Sequence, residues 1–112
     1  MDDEILREKA EEARRQSSQA MVAFVYAELT VALTSLKVAR SRRGLGLQSL
    51  PAIKFAERAL ATAEKAMWKS ARHEDFDQMV AQAERVRMEL RSLEELESRK
   101  NDQAATRHAH LR

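Results

Sequence analysis

Few side chains in this sequence are spaced so that they could carry out chemistry together. The histidines of the 112-residue chain are His73, His108 and His110, and Glu94 and Glu95 form an adjacent carboxylate pair. A zinc site needs three or four ligands on an ordered scaffold, and acid–base catalysis needs a carboxylate beside a substrate. His108 and His110 have no obvious third ligand near them in the sequence. We therefore expect no catalytic residue, no metal site and no cofactor.

Two further motifs of helical and nucleotide-binding enzymes are missing. The chain contains no Glu-x-x-His pair, which carboxylate-bridged di-metal bundles place on their helices. Residues 44–49, GLGLQS, lack the lysine and the preceding strand of a phosphate-binding loop. The sequence therefore predicts a protein that is not an enzyme.

The strongest basic cluster, called the basic cluster below, consists of Lys37, Arg40, Arg42 and Arg43. Such side chains bind the phosphates of nucleic acids or of lipid headgroups. They also stabilise the C-terminal end of a helix, and they could face the acidic third helix of a neighbour. No aromatic residue is interleaved with them, and the formal net charge of the chain is only +2. A nucleic-acid-binding accessory protein that uses this cluster is therefore the alternative interpretation.

Residues 20–38, AMVAFVYAELTVALTSLKV, are apolar on two sides of a helix. Spacings of three and four residues define two stripes. The inner stripe is Val22, Val25, Leu29, Ala32, Leu36 and Ala39. The outer stripe also contains Ser17 and Thr34, and its apolar members are Leu6, Ala10, Ala13, Ala20, Phe24, Ala27, Val31 and Val38.

The outer stripe predicts self-association. When it is placed at heptad positions a and d, the inner stripe falls on the opposite side of the helix, so this helix needs neighbours on both sides. The outer stripe is also longer than the inner one, which suggests a second chain. We predict a homodimer or higher homo-oligomer anchored by Phe24 and Val31, and a helix of another protein is a further possible partner. The alternative is that Leu6, Ala10 and Ala13 match by chance, since alanine is common in any helix.

The same segment has nearly the length of a transmembrane helix, which needs about 20 mainly apolar residues. It contains Glu28 and Lys37, however, and a carboxylate at mid-span costs about 2.5–3.5 kcal/mol on insertion scales. We therefore do not expect membrane insertion. The chain opens with Asp2 and Asp3 rather than with a basic and then apolar leader, which favours a cytoplasmic location.

The composition favours an all-α fold. Two glycines and one proline leave room for few turns, and the lack of cysteine excludes disulfides and thiolate metal sites. Aromatic residues make up 4% of the chain and alanine supplies much of its 44% hydrophobic content, so the helices should pack through narrow contacts. We predict a single domain, a three-helix bundle in which a long N-terminal helix packs on an antiparallel helical hairpin.

Local signals set the expected helix boundaries. We predict helices at 3–43, 51–71 and 76–99, a loop at 44–50, a turn at 72–75 and a flexible basic tail at 100–112. Gly44 follows basic residues, as helix C-termini often do, and Ser49 is an expected N-cap with Pro51 in the first turn. Asn101 is an expected helix stop. Three apolar loop residues are expected to close one end of the core: Leu45, Leu47 and Leu50.

Residues 52–98 have the pattern of a helical hairpin. The run AERALATAEKAMWKSARHEDFDQMVAQAERVRMEL has small residues in its first helix, Asp75 and Phe76 at the start of its second, and Ala83 within that second helix. In these features it resembles the helical hairpins of tetratricopeptide-like and MIT-like modules. The resemblance covers under half of the chain, and no second copy of the repeat follows. It implies a protein-interaction module that binds peptides or helices.

These observations favour one functional class. The sequence predicts a small, non-enzymatic helical interaction or scaffolding protein that self-associates through its long first helix. A salt-dependent gel shift with mixed DNA and RNA would separate this class from the nucleic-acid alternative.

Overall fold

The computed structural model describes residues 2–110, and it describes side chains as far as residue 102. Within that range the chain forms the helices α1 (Asp2–Gly44), α2 (Leu50–Trp68) and α3 (Phe76–His110). All three pack against one another as an all-α three-helix bundle, so the predicted fold class is confirmed. The molecule measures 86 × 20 × 17 Å because α1 and α3 extend beyond the shorter α2.

α1 is a continuous helix of 43 residues, against the predicted range 3–43. It passes through Ser17 and Ser18 without interruption, since serine disfavours a helix by only a few tenths of a kcal/mol. Its first turn is acidic and its last turn is basic, which suits the helix dipole. The chain leaves the helix after Gly44, and Gly46 adopts a φ of 75°, a left-handed conformation that favours glycine.

α2 has 19 residues and ends at Trp68, three residues before the predicted end at Ala71. Residues 69–75 form successive tight turns in place of the predicted turn at 72–75, and the N–H of Ser70 donates to the carbonyl of Met67 at 2.9 Å. Because the chain turns here, the rings of Trp68 and Phe76 come together with their centroids 5.7 Å apart. This aromatic contact closes the connection between α2 and α3.

α3 has 35 residues and continues to His110, so the predicted end near Arg99 is wrong. Asn101 does not stop the helix, because asparagine costs only about 0.7 kcal/mol relative to alanine in a helix interior. Residues 100–110 contain no glycine or proline, and Gln103, Ala104 and Ala105 are good helix formers. The predicted tail at 100–112 is therefore helical through residue 110, and residues 111–112 lie outside the described range.

The core is narrow and rich in alanine. The inner stripe of α1 packs against the buried faces of α2 and α3, and small residues let the helix axes approach closely. Leu29, Leu36 and Ile53 are among the largest fully buried side chains. The buried apolar residues are Val22, Val25, Leu29, Ala32, Leu36, Ala39, Ile53, Ala56, Ala59, Leu60, Ala63, Ala66, Met67, Met79, Ala83, Val86, Leu90 and Leu93.

The apolar loop residues do not close the core as expected. Leu45 is 74% exposed, and Leu47 and Leu50 are also exposed. The last turn of α1 ends in hydrogen bonds from the loop backbone, which hold residues 45–47 against the helix terminus rather than over the core. The loop instead buries Ser49, whose side chain reaches α3.

Candidate self-association interface

α1 presents a buried side and an apolar exposed side. Val25 and Leu29 on the inner stripe are fully buried. On the outer stripe the side chains of Phe24, Val31 and Val38 are 44%, 38% and 46% exposed, respectively. These three residues are seven apart and therefore lie in one line along the helix. The monomer leaves this line of large apolar side chains in contact with water.

The structure places every predicted interface residue on the exposed side of α1. None of the eight is covered by α2 or α3, and they share one face of an unbroken helix. Exposure is what a surface available to a partner requires, and the partner itself stays a prediction. The eight residues are Leu6, Ala10, Ala13, Ala20, Phe24, Ala27, Val31 and Val38.

The N-terminal part of α1 projects from the bundle. Residues 2–17 are all exposed, and the first buried residue of the helix is Val22. We call residues 2–17 the overhang; it is about 24 Å long at 1.5 Å per residue. Leu6 within it is 64% exposed. α2 has only 19 residues, so it cannot reach far enough to cover the overhang.

A groove beside Phe24 extends the apolar surface onto α2. It has a volume of about 570 Å³ and is lined by residues of both helices, including Ala20, Phe24, Thr62 and Ala66. Phe24 of α1 and Thr62 of α2 line the same groove, and the two helices run in opposite directions. Val31, seven residues after Phe24, therefore lies level with the residue seven before Thr62. That residue of α2 is Phe55, which is exposed. The spacing of Phe55 and Thr62 was the sequence signal for this part of the surface, and the predicted interface had omitted it.

The basic cluster lies where α1 meets α3. Arg40 pairs with Glu89 at 2.6 Å, and Arg43 pairs with Glu97 at 2.9 Å. The Nε of Arg42 donates to the backbone carbonyl of Gln48 at 2.6 Å. The acidic face of α3 that these arginines contact thus belongs to the same chain. Much of the positive charge of the cluster is therefore neutralised or engaged within the bundle.

Glu97 joins all three helical segments of the bundle. It accepts hydrogen bonds from Arg43 of α1 and from the hydroxyl of Ser49, which precedes α2. Ser49 does occupy the N-cap position, but its side chain makes no capping bond to α2 because the hydroxyl donates to Glu97 instead. This hydrogen bond from Ser49, and then the guanidinium of Arg43, hold the pKa of Glu97 below its usual range.

The Glu97→Gln variant is expected to lower the free energy of unfolding by about 1 kcal/mol at pH 7, because it weakens a partly buried, charge-assisted contact. A lowered carboxylate pKa contributes stability that is lost as the pH falls through that pKa. The parent should therefore lose its advantage over Glu97→Gln in acid. Urea unfolding of both proteins at pH 7 and at about pH 3 measures this difference. An equal difference at both pH values would contradict the assignment.

The pKa of Glu94, a second carboxylate on α3, is shifted in the opposite direction to that of Glu97. Partial burial, and then a hydrogen bond and negative charge from Glu57 on α2, raise the pKa of Glu94, while Arg91 acts in the other direction. Two carboxylates share this point of the α2–α3 contact. Both side chains lie on the exposed surface, so the pair is a like-charge contact between α2 and α3.

The Glu94→Gln variant is expected to be more stable than the parent at neutral pH. A raised carboxylate pKa means that the parent loses stability as the pH rises through that value, and the amide cannot ionise. The gain should shrink as the pH falls and Glu94 becomes protonated. Thermal melting of both proteins between about pH 4 and 8 tests this trend. A gain that does not depend on pH would show that Glu57 and Glu94 do not repel.

Metal binding finds no support among the described residues. Within them no group of three or more histidine, cysteine or acidic side chains is arranged to hold an ion. His73 lies in the turn before α3, where its Nδ1 accepts a hydrogen bond from the N–H of Asp75 at 3.0 Å. His108 and His110 belong to α3, and their side chains lie outside the described part.

One 18-residue stretch of α1 is long and apolar enough to cross a membrane by length and composition alone, and only 28% of it is buried in the bundle. A core helix of a soluble protein passes the same test, so this is weak support for a membrane role. Because the buried share is low, much of this apolar stretch is not covered by α2 or α3 within the monomer.

Comparison with models of known families, with curated proteins and with solved structures finds no match for this chain. The resemblance of residues 52–98 to tetratricopeptide-like and MIT-like hairpins therefore stays a prediction.

Proposed function

We propose that this protein is a non-enzymatic helical interaction or scaffolding protein whose working unit is a homodimer. The dimer forms through the outer stripe of α1. The observation that carries the proposal is the line of Phe24, Val31 and Val38, three large apolar side chains exposed on a helix whose opposite side is buried from Val22 to Ala39. Burial of apolar surface contributes roughly 25 cal/mol per Å², so covering this line favours association.

The length of α1 supports the same proposal. A folded monomer needs α1 only where α2 and α3 cover it, yet the helix continues through the overhang with Ile5 and Leu6 exposed. An isolated helix of fewer than about 12–15 residues is marginal in water. A second chain that packs along the outer stripe supplies contacts for the overhang as well as for Phe24.

The experiment that tests the proposal is the solution mass by light scattering on a sizing column at two protein concentrations. The expected mass is twice the 12.8 kDa of one chain. A mass of one chain at both concentrations would mean that the outer stripe is left for another protein or for a membrane surface, and the homodimer would be ruled out.

The nucleic-acid alternative is tested with the same preparation. Binding through the basic cluster should give a gel shift that weakens steeply with salt and is lost in Arg42→Glu. No shift at low salt would end this alternative. The ion pairs of Arg40 and Arg43 within the bundle make it the weaker proposal.

A further inference from the structure

We propose that the chain covering the outer stripe is a second copy that runs antiparallel, with the two-fold axis on the outer stripe at the level of residue 22. This inference rests on the self-association proposed above and specifies its geometry. In this register Phe24 lies level with Ala20 of the second copy, and Val31 lies level with Ala13. Two independent properties favour this register: the sizes of the side chains on the outer stripe and the charges beside it.

Side-chain size differs between the two halves of the outer stripe. The half within the overhang and just after it is mostly small, with Ala10, Ala13, Ser17 and Ala20 following Leu6. The other half carries Phe24, Val31 and Val38. Antiparallel chains place Phe24 and Val31 against alanines, which permits a close helix separation across the centre of the contact, while Val38 meets Leu6 at each end. Parallel chains would stack Phe24 on Phe24 and Ala13 on Ala13, and the separation would have to change along the contact.

Charge also favours the antiparallel register. Arg14 follows Ala13 and Glu28 follows Ala27, so both lie on the same flank of the outer stripe. The register brings Arg14 alongside Glu28 of the second copy, and symmetry forms this pair twice. On the other flank it places Lys9 near Lys37 of the second copy, a repulsion at the solvent edge that salt screens. A parallel register would instead place Lys9 beside Arg14 on the partner.

The ends of α1 are complementary in the same arrangement. The acidic first turn of one copy lies level with Arg42 of the other, whereas Arg40 points to Glu89 of its own α3. A parallel arrangement would place acidic turn beside acidic turn and basic cluster beside basic cluster. The antiparallel register therefore gives the basic cluster a partner within the dimer, in addition to the ion pairs of Arg40 and Arg43 with α3.

The overhang also gains a supporting surface. In the proposed register it lies along residues 27–42 of the second copy, which is the part of α1 that α2 and α3 hold in place. In a parallel dimer the overhangs would contact only each other, through alanines and one leucine. Because a short helix without tertiary contacts is marginal, the antiparallel arrangement explains better why the overhang is helical.

The test uses introduced cysteines, since the chain has none of its own. Ala13→Cys in heavy-isotope form is mixed with unlabelled Val31→Cys, the chains are allowed to exchange, and the mixture is oxidised. Mass spectrometry then reads the composition of the disulfide-linked dimers. The antiparallel register predicts dimers that contain one heavy and one light chain. The matched control is Glu11→Cys mixed with Val31→Cys, which should cross-link poorly because Glu11 lies off the outer stripe.

The outcomes separate the inference from the proposed function. Linked dimers of two heavy or two light chains would mean parallel chains, which overturns the inference and leaves self-association intact. A parent that is monomeric by light scattering overturns both, and flotation with vesicles or capture of an added amphipathic helix would then identify the other occupant. A parent dimer in which Ala13→Cys and Val31→Cys do not cross-link in any combination overturns the register.

A charge exchange provides a second readout. Arg14→Glu is expected to weaken the dimer roughly threefold, in line with solvent-accessible ion pairs formed twice. Adding Glu28→Arg to the same chain should restore the affinity, because the pair is re-formed with its signs exchanged. Concentration-dependent sedimentation measures both constants at low salt. A double variant that is weaker than Arg14→Glu alone would contradict the register.

Discussion

Leu29→Ala is expected to lower the free energy of unfolding by about 3–4 kcal/mol. The side chain of Leu29 is 0% exposed and is among the largest fully buried side chains of the described chain. The alanines that make up much of the surrounding core cannot rotate to fill the space left behind, so most of the cavity should persist. Urea unfolding followed by helical circular dichroism measures the loss.

The matched control is Leu45→Ala, which removes the same atoms from the exposed loop after α1. It should cost less than about 0.5 kcal/mol, as surface substitutions usually do. All three proteins must be compared at one concentration, because the proposed dimer would make the apparent stability depend on concentration. A cost below about 1 kcal/mol for Leu29→Ala would show that the inner stripe does not carry the core.

Much of the fold could be predicted because its determinants are periodic. Val22, Val25 and Leu29 repeat at spacings of three and four, and the same geometry that puts them on one side of a helix also buries them together. The outer stripe has the same spacing on the other side, and Phe24 and Val31 are indeed exposed. Periodicity therefore separated the two sides of α1 before any tertiary contact was known.

Helix ends were harder to predict because the energies involved are small. Asn101 differs from alanine by only about 0.7 kcal/mol in a helix, which neighbouring helix formers offset. At Trp68 the helix ends without a glycine or proline to mark the boundary, and the turn that follows brings Trp68 against Phe76. The first error arises from local propensity, and the second lies at a boundary without a breaking residue.

The apolar surface around Phe24 was predicted only in part, because the groove beside it also has a side on α2, which depends on how the helices cross. The sequence of α1 alone identifies Phe24 and Val31. The addition of Phe55 and Thr62 requires knowing which side of α1 faces α2. The same limitation applies to Arg40 and Arg43, whose carboxylate partners on α3 depend on the packing of the third helix.

Phe24→Glu is expected to convert the proposed dimer into a folded monomer. A carboxylate placed at the centre of an apolar helix contact would be buried without a partner, which costs several kcal/mol and thus lowers affinity at least a hundredfold. In the monomer the same side chain is 44% exposed, so the charge remains hydrated and the core is untouched. Val31→Glu should behave in the same way. Light scattering gives the mass, and circular dichroism verifies that the helices remain.

The matched control is Met88→Glu, because Met88 is an exposed apolar residue on α3 and lies outside the outer stripe. It adds the same charge and should leave the mass of the parent unchanged. If Phe24→Glu and Val31→Glu both retain the parent mass, the interface lies elsewhere on the molecule. If both unfold while Met88→Glu does not, the outer stripe belongs to the core of the monomer. A folded, smaller species in both variants, together with an unchanged control, is the combination that requires a second chain on this side of α1.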